Sequence, residues 1–318
     1  MGKRYTWAAE THQGHHRSHN EDRYAVFTCP LGEAFVVCDG MGGHAAGDVA
    51  ATLAVQRIKE LLEKASITYP VDYWLRRALH YAHQAIQEYS QQTYGMSYMG
   101  TTAVVLLLTS SGEAWWAHTG DSRLYLFREQ RLWALTHDHS YVSLLVDAGH
   151  LSPEAAFGHP QSNQLLFSLG ASQDFTLAEA SSYPLSLNKG DVFLLCSDGL
   201  SGFVPPEELR SILSAPLTPA EKVRKLISLA LQAGGYDNIT AIVIESSSSM
   251  AISRSFSRLV RLAWILIAWL VGVGSGFFWA KRSTFSSLSP PERTLRSTKS
   301  AVEKSDSLAL GQEKLPPR

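Results

Sequence analysis

Cysteine is scarce: the chain has three in 318 residues, Cys29, Cys38 and Cys196, with no CxxC step among them. Each lies in an apolar run, which predicts buried, reduced thiols and excludes a disulfide framework or a thiolate zinc site. No histidine or cysteine pair has zinc-ligand spacing. GKS and GKT are absent, which excludes a Walker-type phosphate loop. The opening MGKRYTWAAE has no apolar core, so no secretory signal peptide is expected. No repeat of solenoid period occurs. The chain also lacks a basic excess, its formal net charge being −1.

That small net charge hides an asymmetry. Residues 251–318 carry 11 Lys/Arg against 4 Asp/Glu, which leaves 17 against 25 in residues 1–250. The front is net −8, the tail net +7. An acidic front argues against nucleic acid as a partner and suits a domain that gathers carboxylates around cations. With 45 % hydrophobic and 18 % charged residues, the chain has the composition of a globular protein.

Apolar runs of strand type recur between turn residues: AVFTC, EAFVVCDG, TAVVLLLT, EAWWAH, SRLYLF, RLWALT, DVFLLCSDG and NITAIVIE. Several are continuous rather than alternating, the pattern of strands covered on both faces. Gly120 and Asp121 read as a hairpin turn between two of them. Helical periodicity spans 46–64, 71–90, 141–149 and 219–233. The expected fold class is α+β, an antiparallel β-sandwich flanked by helices on both sides in four αββα layers.

The character changes after Glu245. We expect a domain over 1–247, a linker over 248–258, a transmembrane helix over 259–280 and a disordered tail over 281–318. Leu262 to Ala280 is 19 residues without a charge, flanked by Arg258, Arg261, Lys281 and Arg282. That is about the ~20 residues that cross a bilayer. Trp264 and Trp279 lie near its ends, as interfacial anchors do. Gly272 and Gly276 form a GxxxG step, from which weak dimerisation is expected.

The candidate chemistry lies where acidic residues meet strand ends. Asp39 follows FVVC, Asp198 follows FLLCS, Asp121 sits in TGDS, Asp237 precedes ITAIVI, and Glu21 and Asp22 precede AVF. One Asp-Gly after a strand is an ordinary turn; six carboxylates beside strand ends can converge on one rim of stacked sheets. Held that close, they need cations to neutralise them. All-oxygen ligation selects Mg²⁺ or Mn²⁺.

The segments RSHNED (17–22), CDGMGGHAAGDVA (38–50), GTT (100–102), HTGDSRLYLF (118–127), LTHDHSYV (135–142), LLCSDGLSGFV (194–204) and GGYDNITAIVI (234–244) occur in order. Over residues 5–245 the chain thereby resembles the metal-dependent type 2C (PPM) serine/threonine protein phosphatases of bacterial type. The resemblance implies that Asp39 bridges two metals, with the carbonyl of Gly40 on one and Asp198 and Asp237 on the other. It implies that Glu21 and Asp22 act through metal-bound waters, and that Asp121 with Asp198 recruits a third, weaker metal. Arg17 matches the arginine that grips the substrate phosphate, a task suited to a planar, permanently charged fork. A water activated by two metals would then attack phosphorus in line.

His44, in GGH, is a candidate to orient water or protonate the leaving group; some members of the family carry a histidine just after Asp-Gly, where this chain has Met41. The cluster HQGHHRSH (12–19) reads as a solvated segment with incidental histidines. Residues 143–169 match the family's flap, but the flap arginines are missing, His-Pro being followed by Gln161, Ser162 and Asn163. The implied partners are phosphorylated proteins and a cognate serine/threonine kinase, with the membrane met through 259–280. The competing reading is a catalytically weak phosphoprotein-binding or regulatory protein on the same fold.

Overall fold

The structure is a computed structural model and describes residues 5–42, 45–93, 99–171 and 179–247. Half-exposed β1 (Tyr5–His12) comes first. β2 (Asp22–Cys29) and β3 (Gly32–Met41) form a hairpin whose register sets Asp22 opposite Asp39. Helices α1 (Ala45–Glu63) and α2 (Val71–Gln92) follow. Then come β4 (Gly100–Thr101), β5 (Ala103–Thr109), β6 (Glu113–Thr119), β7 (Arg123–Arg128) and β8 (Arg131–Ala134). Short helices α3 (Tyr141–Asp147) and α4 (Pro153–Ala156) precede β9 (Glu179–Ala180), β10 (Leu185–Ser186) and β11 (Val192–Cys196). The described chain closes with α5 (Asp198–Ser201), α6 (Pro206–Ser214), α7 (Pro219–Gln232) and β12 (Ile239–Ser246).

The strands form two antiparallel sheets. One has the order β1-β12-β11-β7-β8; the other runs β10-β6-β5-β3-β2, with β4 on β3 and β9 on β6. Residues of alternating direction fill three apolar layers. Phe35, Val37, Val104 and Leu106 meet Leu124, Leu126, Phe193, Leu195 and Ile242 between the sheets. Their neighbours Val36, Cys38, Val105 and Leu107 pack under Ile58, Leu62, Leu79 and Ile86 of α1 and α2. On the other side Leu194, Cys196 and Val243 pack under Leu209 of α6 and Leu226 of α7. The order of layers is helix, sheet, sheet, helix. Both faces of the central strands are buried, which explains their unbroken apolar runs. Each such Leu or Ile contributes about 1.5–3 kcal/mol.

One expectation fails. Gly120 and Asp121 do not turn a hairpin: β6 pairs with β5 in one sheet, while β7 pairs with β11 and β8 in the other. The turn carries the chain across the sandwich. Gly120 has φ +93°, and a Cβ there would lie 2.6 Å from Cγ2 of Thr102. Continuous apolar runs carry no register signal, so they do not reveal which strand a neighbour in sequence will pair with.

Among the described residues no helix is long and apolar enough to cross a membrane. The expected linker (248–258), span (259–280, with Gly272 and Gly276) and tail (281–318) lie outside the described residues.

Asp191, just before β11, is 1 % exposed and accepts a two-pronged bond from Arg128, Nε to Oδ1 at 2.7 Å and Nη2 to Oδ2 at 2.6 Å. The N–H of Asn188 also donates to Oδ2, at 2.7 Å. Asp191→Asn keeps the shape and removes the charge. It is expected to cost about 2–3 kcal/mol, read as a lower urea midpoint at unchanged slope. The carboxylates at the other end of β11 should be unaffected.

Candidate metal centre

Strand ends deliver the acidic side chains to one rim. Asp39 and Gly40 lie in the last three residues of β3, β11 is followed by Asp198 at the start of α5, Asp237 precedes β12, and Asp121 sits in the crossing between the sheets. Arg17, Glu21, Asp39, Gly40, Asp121, Asp198 and Asp237 line a single cavity of about 190 Å³. Asn163 and Leu165 of the flap complete its wall. Asp22 lies behind this cavity, 1 % exposed, and its Oδ2 accepts from the hydroxyls of Ser197 and Thr240, both at 2.7 Å. His44 lies outside the described residues.

Short polar residues fix the backbone beneath these carboxylates. The N–H of Asp39 donates to Oγ1 of Thr102 at 3.0 Å, and its carbonyl accepts from the N–H of Thr102 and the hydroxyl of Thr101, both at 2.8 Å. Thr102 in turn bonds Ser122, the residue after Asp121, at 2.7 Å. Asn238 joins the N-terminal loop to Asp237: its Oδ1 accepts from the N–H of Glu21, and its Nδ2 donates to the carbonyls of Gln13 and His19. This places Arg17 so that Nη2 reaches Oδ2 of Asp237 at 2.7 Å, with the Arg17 side chain 47 % exposed.

Two buried imidazoles prop the Asp121 corner. His118 and His139 stack with ring centroids 4.7 Å apart. His118 donates from Nε2 to the carbonyl of His137 at 2.7 Å, and Nδ1 of His139 accepts from the N–H of Gly120 at 3.3 Å. Burial pushes both pKa values down, that of His139 to about 4, with the neighbouring His118 adding to the shift. Both rings are therefore neutral at pH 7. Glu179 approaches Nε2 of His139 at 3.7 Å. Among the described residues these three form the one His/Cys/Asp/Glu group with ligand atoms all within 4.8 Å. Because Nδ1 of His139 accepts a backbone N–H, its Nε2 carries the proton and faces Glu179 as a donor.

The electrostatics of the rim call for cations. Burial first, then the surrounding carboxylates, pushes Asp39 and Asp121 well above the usual carboxylate range. Burial and then the charge of Asp237 raise Asp198 to about 6; burial raises Asp22 to about 7 against the opposing hydrogen bonds from Thr240 and Ser197, with smaller additions from Asp198 and Asp237. Oε1 of Glu21, Oδ1 of Asp22 and Oδ1 of Asp198 are buried without a hydrogen-bond partner. Orphaned anionic oxygens of this kind are what a hard divalent cation, or its water shell, satisfies. The donor set fits Mg²⁺ or Mn²⁺.

Thr102, Ser122, Asn238, His118 and His139 are absent from the sequence-based site, although each lies inside a motif named above. Gly47 is a further omission. A Cβ on Gly40 would lie 2.1 Å from the carbonyl oxygen of Gly47, and one on Gly47 would lie 2.8 Å from the carboxylate of Glu21. Both glycines allow α1 to start against the end of β3. Gly40→Ala should force that corner apart and lower Mn²⁺ affinity about ten-fold or more in calorimetric titration. Unchanged affinity would show that the close approach has no bearing on the centre.

Comparison with known proteins agrees with this geometry. Residues 11–232 match the family described as protein phosphatase 2C. The serine/threonine phosphatase stp of Listeria monocytogenes serovar 1/2a is 36 % identical over 239 residues, 74 % of this chain and 93 % of that one. The catalytic domain of the serine/threonine protein phosphatase PstP, solved in complex with two manganese ions, superposes with a TM-score of 0.67 at 32 % identity, covering 77 % of this chain and 99 % of that one. PppA of Pseudomonas aeruginosa gives a TM-score of 0.63 at 37 % identity, with 77 % and 98 % covered. The chain belongs to the protein phosphatase 2C family, in its bacterial serine/threonine phosphatase branch.

Proposed function

We propose that the chain hydrolyses phosphoserine and phosphothreonine in proteins, using two divalent cations, Mn²⁺ or Mg²⁺, and opposes a serine/threonine kinase. The observation that carries this reading is the convergence of Arg17 and five carboxylates on one cavity, with buried acidic oxygens left unpaired beside it. Asp39 and the carbonyl of Gly40, with Asp198 and Asp237, are the proposed ligands. Glu21 and Asp22 act through ordered water, and Asp121 with Asp198 serves a third, weaker position. When bound, the cations neutralise the carboxylates and acidify a water for attack on phosphorus.

The chain's own groups do the rest. The exposed fork of Arg17, held at one nitrogen by Asp237, has donors left for the equatorial phosphate oxygens and offsets their charge. Thr102 and Asn238 hold Asp39 and Glu21 in place, so alignment needs no rearrangement on binding. Asn163 and Leu165 narrow the cavity and limit its water. Absence of the flap arginines leaves the proposed ligands intact.

Asp198→Asn and Asp237→Asn should each reduce Mn²⁺-dependent hydrolysis of p-nitrophenyl phosphate by roughly 100-fold or more, with unchanged circular dichroism. Near-normal turnover in either variant would overturn the two-cation reading. EDTA should abolish activity in the wild-type protein, and Mn²⁺ should restore it.

The proposal extends to location: a cytoplasmic catalytic domain tethered by 259–280, with the short tail across the membrane. Arg254, Arg258 and Arg261 precede the apolar stretch, and Lys281, Arg282, Arg293, Arg296 and Lys299 follow it. The positive-inside rule thus mildly favours a cytoplasmic tail. Against it stand the export of a folded domain of about 250 residues and the exposure of three thiols to oxidation. A tether would also raise the local concentration of membrane-bound substrates. In protease shaving of intact spheroplasts the domain should survive; its digestion from outside would reverse the orientation.

A further inference from the structure

A phosphoryl group needs only the small carboxylate cavity, yet that cavity opens into something much larger. Beside it lies a cleft of about 760 Å³ that shares Asp121, Asn163 and Asp198 with it and runs between the flap, at Phe157 and His159, and Phe203. A second cleft of about 760 Å³ adjoins the first, sharing Arg123, Asp138, Ser143, Pro206 and Glu207. This outer part lies against α6, at Arg210, and along β8 from Arg131 to Ala134. The clefts make one groove from the reaction centre to the edge of a sheet.

The outer end is equipped for a polypeptide. β8 is the last strand of its sheet, so alternate N–H and C=O groups along one side of 131–134 have no strand partner. Such an edge accepts an extended segment by backbone pairing. Trp133 is 50 % exposed there, an uncovered aromatic surface beside the open edge. Arg131 is exposed, and among the described residues no carboxylate pairs with it. The floor is rigid: Arg123 grips Asp138 through two bonds, Nε to Oδ1 at 2.8 Å and Nη2 to Oδ2 at 2.6 Å.

Continuity with the carboxylates identifies the occupant. A molecule that fills the groove while its phosphate sits among Asp39, Asp198 and Arg17 is the chain that carries the phosphate. Resting on the phosphatase reading, we propose that the substrate segment on one side of the phosphorylated residue leaves through this groove. It pairs as an extended strand beside β8, with an apolar side chain against Trp133 and an acidic one at Arg131. The flap and α6 then read residues well away from the phosphate, in place of the arginines that the flap lacks.

The test uses the full chain with Mn²⁺ and three phosphothreonine peptides: a five-residue core, the core extended by ten residues on its N-terminal side, and the core extended by ten on its C-terminal side. At every second position the added residues are apolar and acidic in turn, with serine between, because Arg131 and Trp133 lie two apart on one face of β8. One of the two extensions, and not the other, should raise kcat/KM about ten-fold or more, through KM. Trp133→Ala and Arg131→Ala should each remove most of that gain, and Trp133→Phe should keep most of it. All three should hydrolyse p-nitrophenyl phosphate like the wild-type protein; Arg131→Ala, at an exposed strand end, repeats the test without disturbing packing. Equal kcat/KM for all three peptides, or a gain that persists in Trp133→Ala and Arg131→Ala, overturns the groove and leaves the phosphatase reading standing. Absence of p-nitrophenyl phosphate hydrolysis by the wild-type protein overturns both.

Discussion

Repulsion among carboxylates is the constraint around which this rim is built. Asp39, Asp121 and Asp198 share a partly buried space with Glu21 and Asp237, and Asp22 stands directly behind. A carboxylate whose pKa is raised on folding subtracts stability once the pH exceeds its unfolded value, so at pH 7 this cluster opposes folding unless cations offset it. Asp22 and Asp198, raised to about 7 and about 6, measure how far burial has gone. Structure stabilised elsewhere holds the cluster together. Three apolar layers supply that stability, and the sandwich positions the strand ends where the charges meet.

The acidic residues were legible in the sequence because their chemistry and context repeat: a buried strand, a carboxylate, then glycine or a turn; Arg17 was legible only through the resemblance of RSHNED to the family's motif. Asp39 after FVVC and Asp198 after FLLCS are two copies of that signal. The groups that hold them were not legible. Thr102 in GTT looks like an ordinary strand residue, and Asn238 like an ordinary turn residue. Their roles arise from partners far along the chain: Asn238 serves Glu21, 217 positions away, and Ser197 serves Asp22, 175 positions away. Hydrogen bonds over such separations leave no local pattern.

The architecture divides similarly. The helices at 45–63, 71–92, 141–147 and 219–232 follow the apolar periodicity closely. α6 went unread although Pro206 at its first turn, followed by Glu207 and Glu208, is an adequate start signal. β1 went unread for a physical reason: YTWAAETH is half exposed at a sheet edge and so has no apolar run. The crossing at Gly120 was misread because unbroken apolar strands do not encode their partners. That misreading matters for the site. A hairpin would have kept β6 and β7 in one sheet, whereas the crossing sets Asp121 at the seam between the sheets.

The same topology separates the chemistry from the point where the chain leaves the domain. β12 begins beside Asp237 at the rim and ends at Ser246, paired with Tyr5, seven residues later. At ~3.4 Å per residue that is about 24 Å. Gly190, whose N–H donates to the carbonyl of Ser246, marks the same far end, at the opposite end of β11 from Asp198. Whatever follows Ser246 therefore departs from the end of the sandwich remote from the carboxylates. The groove beside β8 likewise opens on a sheet edge at the far side of β7 and β11 from β12. Chain exit and the proposed substrate groove thus fall on different parts of the fold: one at the end of β12, the other at the edge beyond β7, and neither needs to distort the strand ends that carry the acidic rim.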